Sequence, residues 1–259
     1  MSALTTLLSP LAVRLDVHVD DWRSAIRVAG QALIDSQAAT ADYTEQMIAN
    51  VDDNGPYIVI APGLAFAHAR PSSAVLKTGI SWVRLARPVA FGHESNDPVT
   101  LVVALAATDS GSHTQAMAAL ARVLSDPATT EALQQAGSAA TVLDLLGGQS
   151  PAPSSAGKAP VTPAAVHKIL TVCGNGLGTS LFLKNTLEQV LQQWGWSRHV
   201  VVEATDTISA KGKASEAAAI LTSHEIARTL GDVGVPVKVV TDFTSTTEVD
   251  AVLRDTYSV

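Results

Sequence analysis

Residues 147–164 (GGQSPAPSSAGKAPVTPA) are built almost wholly of Gly, Pro, Ser, Ala and Thr and hold no large apolar side chain beyond Val161. Such a stretch offers no face to a core, and structureless loops of this length are uncommon inside a compact domain. It reads as a flexible linker. As a flexible coil it would span roughly 23 Å, and about 60 Å fully stretched. The 259-residue chain is therefore expected to hold two domains, 1–146 and 165–259, on either side of the 147–164 linker. Each has room for its own hydrophobic core.

Composition narrows the function classes. Hydrophobic residues make up 47% and charged residues 16%, a balance that folds into globular domains. The net charge of -7 argues against nucleic acid as a partner, because phosphate backbones call for a basic surface. A single cysteine, Cys173, cannot form an intrachain disulfide, which suits a reducing compartment. No apolar run reaches the roughly 18 residues that a membrane span needs. The first twenty residues carry Pro10, Arg14, Asp16 and Asp20 and lack a continuous hydrophobic signal region. A cytoplasmic protein is expected.

In the first domain, Trp22, Ile26, Ala29 and Leu33 form one helical stripe within residues 20–37. A short helix is expected over 43–51, with Asp42 and Glu45 spaced as a capping box. Residues 56–61 (PYIVIA) read as a buried strand closed by the Pro62-Gly63 turn, and 79–85 and 99–107 as two further strands, the last one central. Ser112 and Gln115 form another capping-box pattern opening a helix to Leu124, and Asp126-Pro127 starts a helix that Gly137 ends. This mixture suggests an α/β or α+β sandwich.

The second domain is more regular. Strands are expected at 166–172, 200–203, 218–221 and 237–240. Helices are expected at 179–194, with Leu181, Leu187, Val190 and Leu191 inward, and at 224–230 and 246–254. Strands alternating with helices specify a smaller, Rossmann-like parallel sheet covered on both faces.

The segment ILTVCGNGLGTS, residues 169–180, carries the strongest chemical signal. A buried strand delivers Cys173 to the carboxyl edge of the sheet, where open α/β folds bind ligands. Gly174, Asn175, Gly176, Leu177 and Gly178 can turn their amides into an anion-binding nest, with the positive end of the next helix behind them. Thr179 and Ser180 add hydroxyl donors. That field is expected to lower the thiol pKa and make Cys173 a thiolate nucleophile. A nucleophile inside a phosphate cradle implies phosphoryl transfer through a cysteinyl phosphate. No lysine follows Gly178, which excludes a Walker A loop, and the glycine spacing is one residue short of a dinucleotide fingerprint. A cysteine phosphatase would carry an arginine where Thr179 stands, and without that cation hydrolysis should be slow.

Three histidines lie in the apolar strand-and-turn region of the first domain: His68, His93 and His113. His68 follows the strand and turn in APGLAFAHARP, flanked by small residues that should leave its ring accessible, and Arg70 is a natural partner for anionic oxygens. His113 falls in the first turn of a helix, where a phosphate is welcome and an imidazolium is not. A neutral imidazole can attack phosphorus, so the pair fits a phosphohistidine site. His93, in FGHESNDP, is expected to shape the rim or to interact through Glu94 and Asp97. A zinc site of His68, His93, His113 and a carboxylate lacks H-E-x-x-H or tight i, i+4 pairing, so no metal and no other cofactor is expected. His18, His167, His199 and His224 read as ordinary polar residues.

On these motifs the first domain resembles enzyme IIA of the phosphoenolpyruvate-dependent sugar phosphotransferase system, mannitol/fructose superfamily. PYIVIAPGLAFAHARP, FGHESNDPV and SHTQAMAAL look most like its ascorbate-type branch. The second domain is similar to the matching enzyme IIB through VCGNGLGTS. The resemblance implies the α/β form of sandwich, on a mixed sheet, for the first domain. It also implies that His68 is the phosphorylated histidine, His113 the second active-site histidine and Cys173 the phosphorylated cysteine. Ala67 stands where many superfamily members have proline, which favours the ascorbate branch. Implied partners are the phosphocarrier HPr, a membrane IIC permease and, through it, a carbohydrate. The implied location is the cytoplasmic side of that permease, and homo-oligomers are compatible with the pattern. A regulatory module without transport, or a cysteine phosphatase, are the alternatives.

Overall fold

Along residues 101–106 every side chain is apolar, and the computed structural model, which describes residues 3–124, 126–147, 167–173 and 179–257, makes this the middle of a sheet. The strands are β1 (Leu8–Val17), β2 (Val59–Ala61), β3 (Leu64–His68), β4 (Gly79–Val89) and β5 (Val99–Ala106), in the order β1-β4-β5-β3-β2. The sheet is mixed: β1 runs parallel to β4 and β3 parallel to β5, while β4–β5 and β2–β3 are antiparallel. Leu101, Val103 and Leu105 enter one core and Val102, Ala104 and Ala106 the other, the two-residue period of a strand buried on both faces.

One face carries α2 (Trp22–Asp35) and α3 (Ala41–Asn54). The Trp22, Ile26, Ala29, Leu33 stripe does face inward, and Asp21 caps α2 by accepting from the Ser24 amide. The other face carries α1 (Ala3–Leu7), α4 (Ser110–Leu124) and α6 (Ala139–Gly147), with α5 (Pro127–Gln135) packed on α4 and α6. Both expected capping boxes are corrected. Thr40 holds the N-cap position of α3, leaving Asp42 in its first turn. Asp109, not Ser112, caps α4 by accepting from the Ser112 amide at 2.8 Å. The Asp126-Pro127 start of α5 is as expected, and Ala136 closes it one residue before Gly137.

The C-terminal part builds a second sheet from β6 (His167–Cys173), β7 (Val200–Asp206), β8 (Ala219–Thr222) and β9 (Val237–Val239), ordered β7-β6-β8-β9 and parallel throughout. Helices α7 (Ser180–Gln193) and α10 (Thr246–Tyr257) cover one face, and α8 (Thr207–Lys213) and α9 (His224–Leu230) the other. In α7 the inward residues are Phe182, Leu183, Leu187, Val190 and Leu191; Leu181 is only half-buried, because the stripe begins one residue later. Trp194 and Trp196 meet edge to face at 5.2 Å and pack beside α10, Trp194 donating to Asp250.

Gly147 is the last residue of α6, and the remainder of the expected linker lies outside the described residues, as do Gly174 to Gly178. The two sheets are not held apart. Helix α7 packs against α4, and the apolar cluster on the open face of the first sheet continues through Phe182 and Leu183 into the second.

Candidate active site

Strand phase decides where the two reactive side chains point. In β3, Leu64 and Phe66 enter the core facing α4 and α7, while Ala65 and Ala67 enter the opposite one, so His68 stands in phase with Phe66. In β6, Ile169 lies in the α7 core and Leu170 and Val172 in the α8–α9 core, so Cys173 stands in phase with Ile169 and Thr171. Each residue is the last of its strand. Phe66 and Phe182 then touch across the junction, with ring centroids 5.4 Å apart.

The His68 ring is enclosed, not accessible as the flanking alanines suggested. It is 5% exposed, packed edge-on by Tyr57 (6.1 Å) and flanked by Phe66 (5.4 Å) and His113 (5.5 Å). The alanines on either side say little here, because Phe66 of the same strand and the Tyr57 and His113 rings from other elements close over the site. Its Nδ1 lies 3.1 Å from the Phe66 carbonyl oxygen, which can only accept. Nδ1 therefore holds the proton, and Nε2 presents a lone pair. Burial first, and the neighbouring His113 second, push the His68 pKa down to about 4 against the Phe66 hydrogen bond, so the ring is neutral at neutral pH. His113 is also lowered by burial, and its Nδ1 is buried without a hydrogen-bond partner among the described residues.

Backbone around His68 is pinned from below. The buried Tyr43 hydroxyl accepts from the Ala69 amide at 3.1 Å and lies 2.7 Å from the Leu105 carbonyl oxygen, to which it donates, tying the ends of β3 and β5 together. Asn50 reaches the His68 carbonyl at 3.4 Å. Arg70, one residue beyond, is exposed and forms no ion pair among the described residues.

Cys173 is buried, its Sγ 3.4 Å from Ser180 Oγ. Thr179 and Ser180, at the head of α7, both hydrogen-bond the sulfur through side chain and backbone, which lowers the thiol pKa. Burial outweighs them and pushes it up, the reverse of the expected direction. A helix terminus activates a thiol in water more than one enclosed in an apolar seam. Thr171 Oγ1 donates to the Ser180 carbonyl at 2.9 Å and locks the start of α7 to β6.

A polar seam flanks the aromatic one. Asn96 Nδ2 donates to the Thr241 carbonyl at 2.9 Å, and the Phe243 amide to the Ile60 carbonyl at 3.0 Å. His93 Nδ1 accepts from the Ser95 and Asn96 amides, so its proton sits on Nε2, which faces Glu225 at 3.7 Å. The expected Glu94 contact is replaced by this one across the junction, while Asp97 accepts from the Phe91, Gly92 and His93 amides. Among the described residues no three His, Cys, Asp or Glu side chains converge as a metal requires. Tyr57, Asn96 and Phe182 were not singled out by sequence; the alternation of Phe66 with His68 signalled only that Phe66 shares the face of the histidine.

Comparison with known proteins fits this two-centre geometry. Residues 6–148, more than half of the chain, match the phosphoenolpyruvate-dependent sugar phosphotransferase system EIIA 2 family. The chain belongs to that family. Residues 168–255 match the PTS lactose/cellobiose specific IIB subunit family, so the protein is an EIIA–EIIB fusion, a phosphotransferase component of a sugar phosphotransfer relay. Domains of these kinds work with phosphocarrier and IIC permease partners. The ascorbate-specific PTS EIIA component of Salmonella typhimurium is 35% identical over 136 residues, 52% of this chain and 88% of the relative. That of Escherichia coli K12 is 31% identical over 147 residues, covering 56% and 96%. The solution structure of the mannitol-specific cryptic phosphotransferase enzyme IIA from E. coli aligns with 57% of this chain and 100% of its own, at 30% identity and a TM-score of 0.53. No helix among the described residues is long and apolar enough to cross a membrane.

Proposed function

We propose that the chain carries one phosphoryl group through two covalent stations. Phospho-HPr presents its phosphohistidine to His68; the Nε2 lone pair attacks phosphorus, and the donor's N–P bond breaks. The Cys173 thiolate then takes the group, and phosphocysteine passes it to a carbohydrate held by a membrane IIC permease. His113 orients the phosphoryl group, a role that its unpaired Nδ1 supports. Thr179, Ser180 and the amides of Gly174, Asn175, Gly176, Leu177 and Gly178 receive its oxygens at the second station, and Arg70 is available to them at the first. The work is positioning and charge stabilisation, as in phosphoryl transfer generally.

The carrying observation is the phase of β3 and β6, which sends the terminal His68 and the terminal Cys173 to the two sides of one aromatic junction at Phe66 and Phe182. The division into 1–146, a 147–164 linker and 165–259 belongs to this proposal, because it lets the second station leave and return. The ascorbate-specific relatives of the first part favour an ascorbate-like carbohydrate, and with the partners proposed here the chain would work in the cytoplasm beside the permease.

The test supplies phosphoenolpyruvate, enzyme I and HPr and follows labelled phosphate. The His68→Ala chain should take no label. The Cys173→Ser chain should hold an acid-labile histidine label and pass none onward. Equal labelling of wild type and both variants would contradict the relay.

A further inference from the structure

A buried phenol at the junction has no assigned work. Tyr57 lies between α3 and β2 at the head of the β2–β3 hairpin, and its side chain is 6% exposed. Its ring stands edge-on to His68, with centroids 6.1 Å apart and planes at 81°. The hydroxyl makes no hydrogen bond among the described residues and is not sealed from solvent, so its hydrogen is open to a ligand. Packing alone would be served as well by phenylalanine. The second station closes from the other side: Phe66 of β3 touches both His68 and Phe182 of α7, and Phe182 follows two residues after Ser180, the partner of Cys173.

We propose that Tyr57 is a further catalytic residue, whose free phenolic hydrogen donates to an oxygen of the phosphoryl group as it passes from His68 Nε2 to Cys173 Sγ. The inference rests on the relay proposed above. In the step, the thiol has lost its proton to solvent and the thiolate lone pair forms the S–P bond. The N–P electron pair returns to Nε2, and the imidazole leaves neutral, its proton still on Nδ1 and donated to the Phe66 carbonyl oxygen. Tyr57 neither gains nor loses a proton. Burial, and next the Cys173 charge, hold its own ionisation well above the ordinary tyrosine value, so it stays a donor throughout. While the second station is away, water competes for the phosphoryl oxygens. Once it is seated and the junction is dry, a fixed donor is worth far more. The contribution therefore falls on transfer to Cys173 and not on loading of His68.

Tyr57→Phe in the full chain tests this by rapid-quench labelling from phospho-HPr. Loading is read in a Tyr57→Phe, Cys173→Ser background and onward transfer in Tyr57→Phe alone, each against its Tyr57 parent. The expected result is loading within about twofold of the parent and transfer to Cys173 slowed about 10- to 100-fold. Wild-type transfer in Tyr57→Phe would overturn the assignment and leave the relay standing. Equal slowing of both steps would make Tyr57 a structural residue and also overturn it. Failure of the wild-type chain to label His68 would remove the relay, and the Tyr57 assignment with it.

Discussion

His68 and Cys173 are driven in opposite senses by the same burial. Loss of water favours the neutral form of each, which makes the imidazole a ready nucleophile and the thiol a reluctant one. The first consequence concerns stability. With His68 lowered from 6.5 to about 4, the unfolded chain binds more protons throughout that window, so stability falls as pH drops through it. Tyr57 and His113 face the ring, and neither offers a carboxylate to offset the effect. Urea unfolding should show about 2 kcal/mol of His68-linked loss between pH 7 and pH 5, absent from the pH dependence of His68→Ala. A pH dependence unchanged by the substitution would mean the ring is solvated. The second consequence concerns the thiol. Because Ser180 lowers a value that burial raises, Ser180→Ala should raise the Cys173 pKa further and slow onward transfer, with loading of His68 unchanged. Thiolate absorbance against pH checks the first part, and an unchanged titration would mean that Ser180 does not reach the sulfur.

At the scale of elements, the site depends on what holds β3 level with β5 and α2 close to α3. Gly30 lies in α2 where any Cβ would overlap the Thr44 side chain of α3. Gly30→Ala should cost about 1–3 kcal/mol by forcing these helices apart, measurable as a lowered urea midpoint with unchanged slope. A neutral result would mean the crossing is slack. The strongly periodic elements were legible in sequence: the α2 stripe, the central β5, the Asp126-Pro127 start of α5 and the alternating strands and helices of the second sheet. Strand β1 was not, because Pro10, Arg14 and Asp16 interrupt its pattern; an edge strand paired only to β4 tolerates them. Strand β3 was hidden by its alanines, whose weak strand preference is overridden by pairing on both sides. Helix caps were misplaced because Asp109 and Thr40 compete with Ser112 and Asp42 for the same turns. Local pattern singled out His68, His113 and Cys173 as candidates. Their enclosure was not legible, since Tyr57, His113 and Phe182 reach the junction only through tertiary packing.

For the whole molecule, the docked arrangement sets an order of events. In the proposed relay, loading of His68 by an external phosphocarrier calls for the second half to lift away, and transfer for its return. Asn96, which reaches Thr241 across the junction, should tune that balance. Asn96→Ala is expected to slow transfer to Cys173 severalfold and to let phosphohistidine accumulate, read as the ratio of acid-labile to thiol-bound label; an unaltered ratio would remove this contact from docking. Tethering supplies an effective concentration on the order of mM, so weak contacts of this kind suffice. The most direct measurement is a single-turnover rapid quench of the full chain charged from phospho-HPr, repeated over a wide range of chain concentrations. The account predicts that phosphate moves from His68 to Cys173 with a rate constant independent of concentration. A rate rising in proportion to concentration, or label leaving His68 as inorganic phosphate without visiting Cys173, would contradict it.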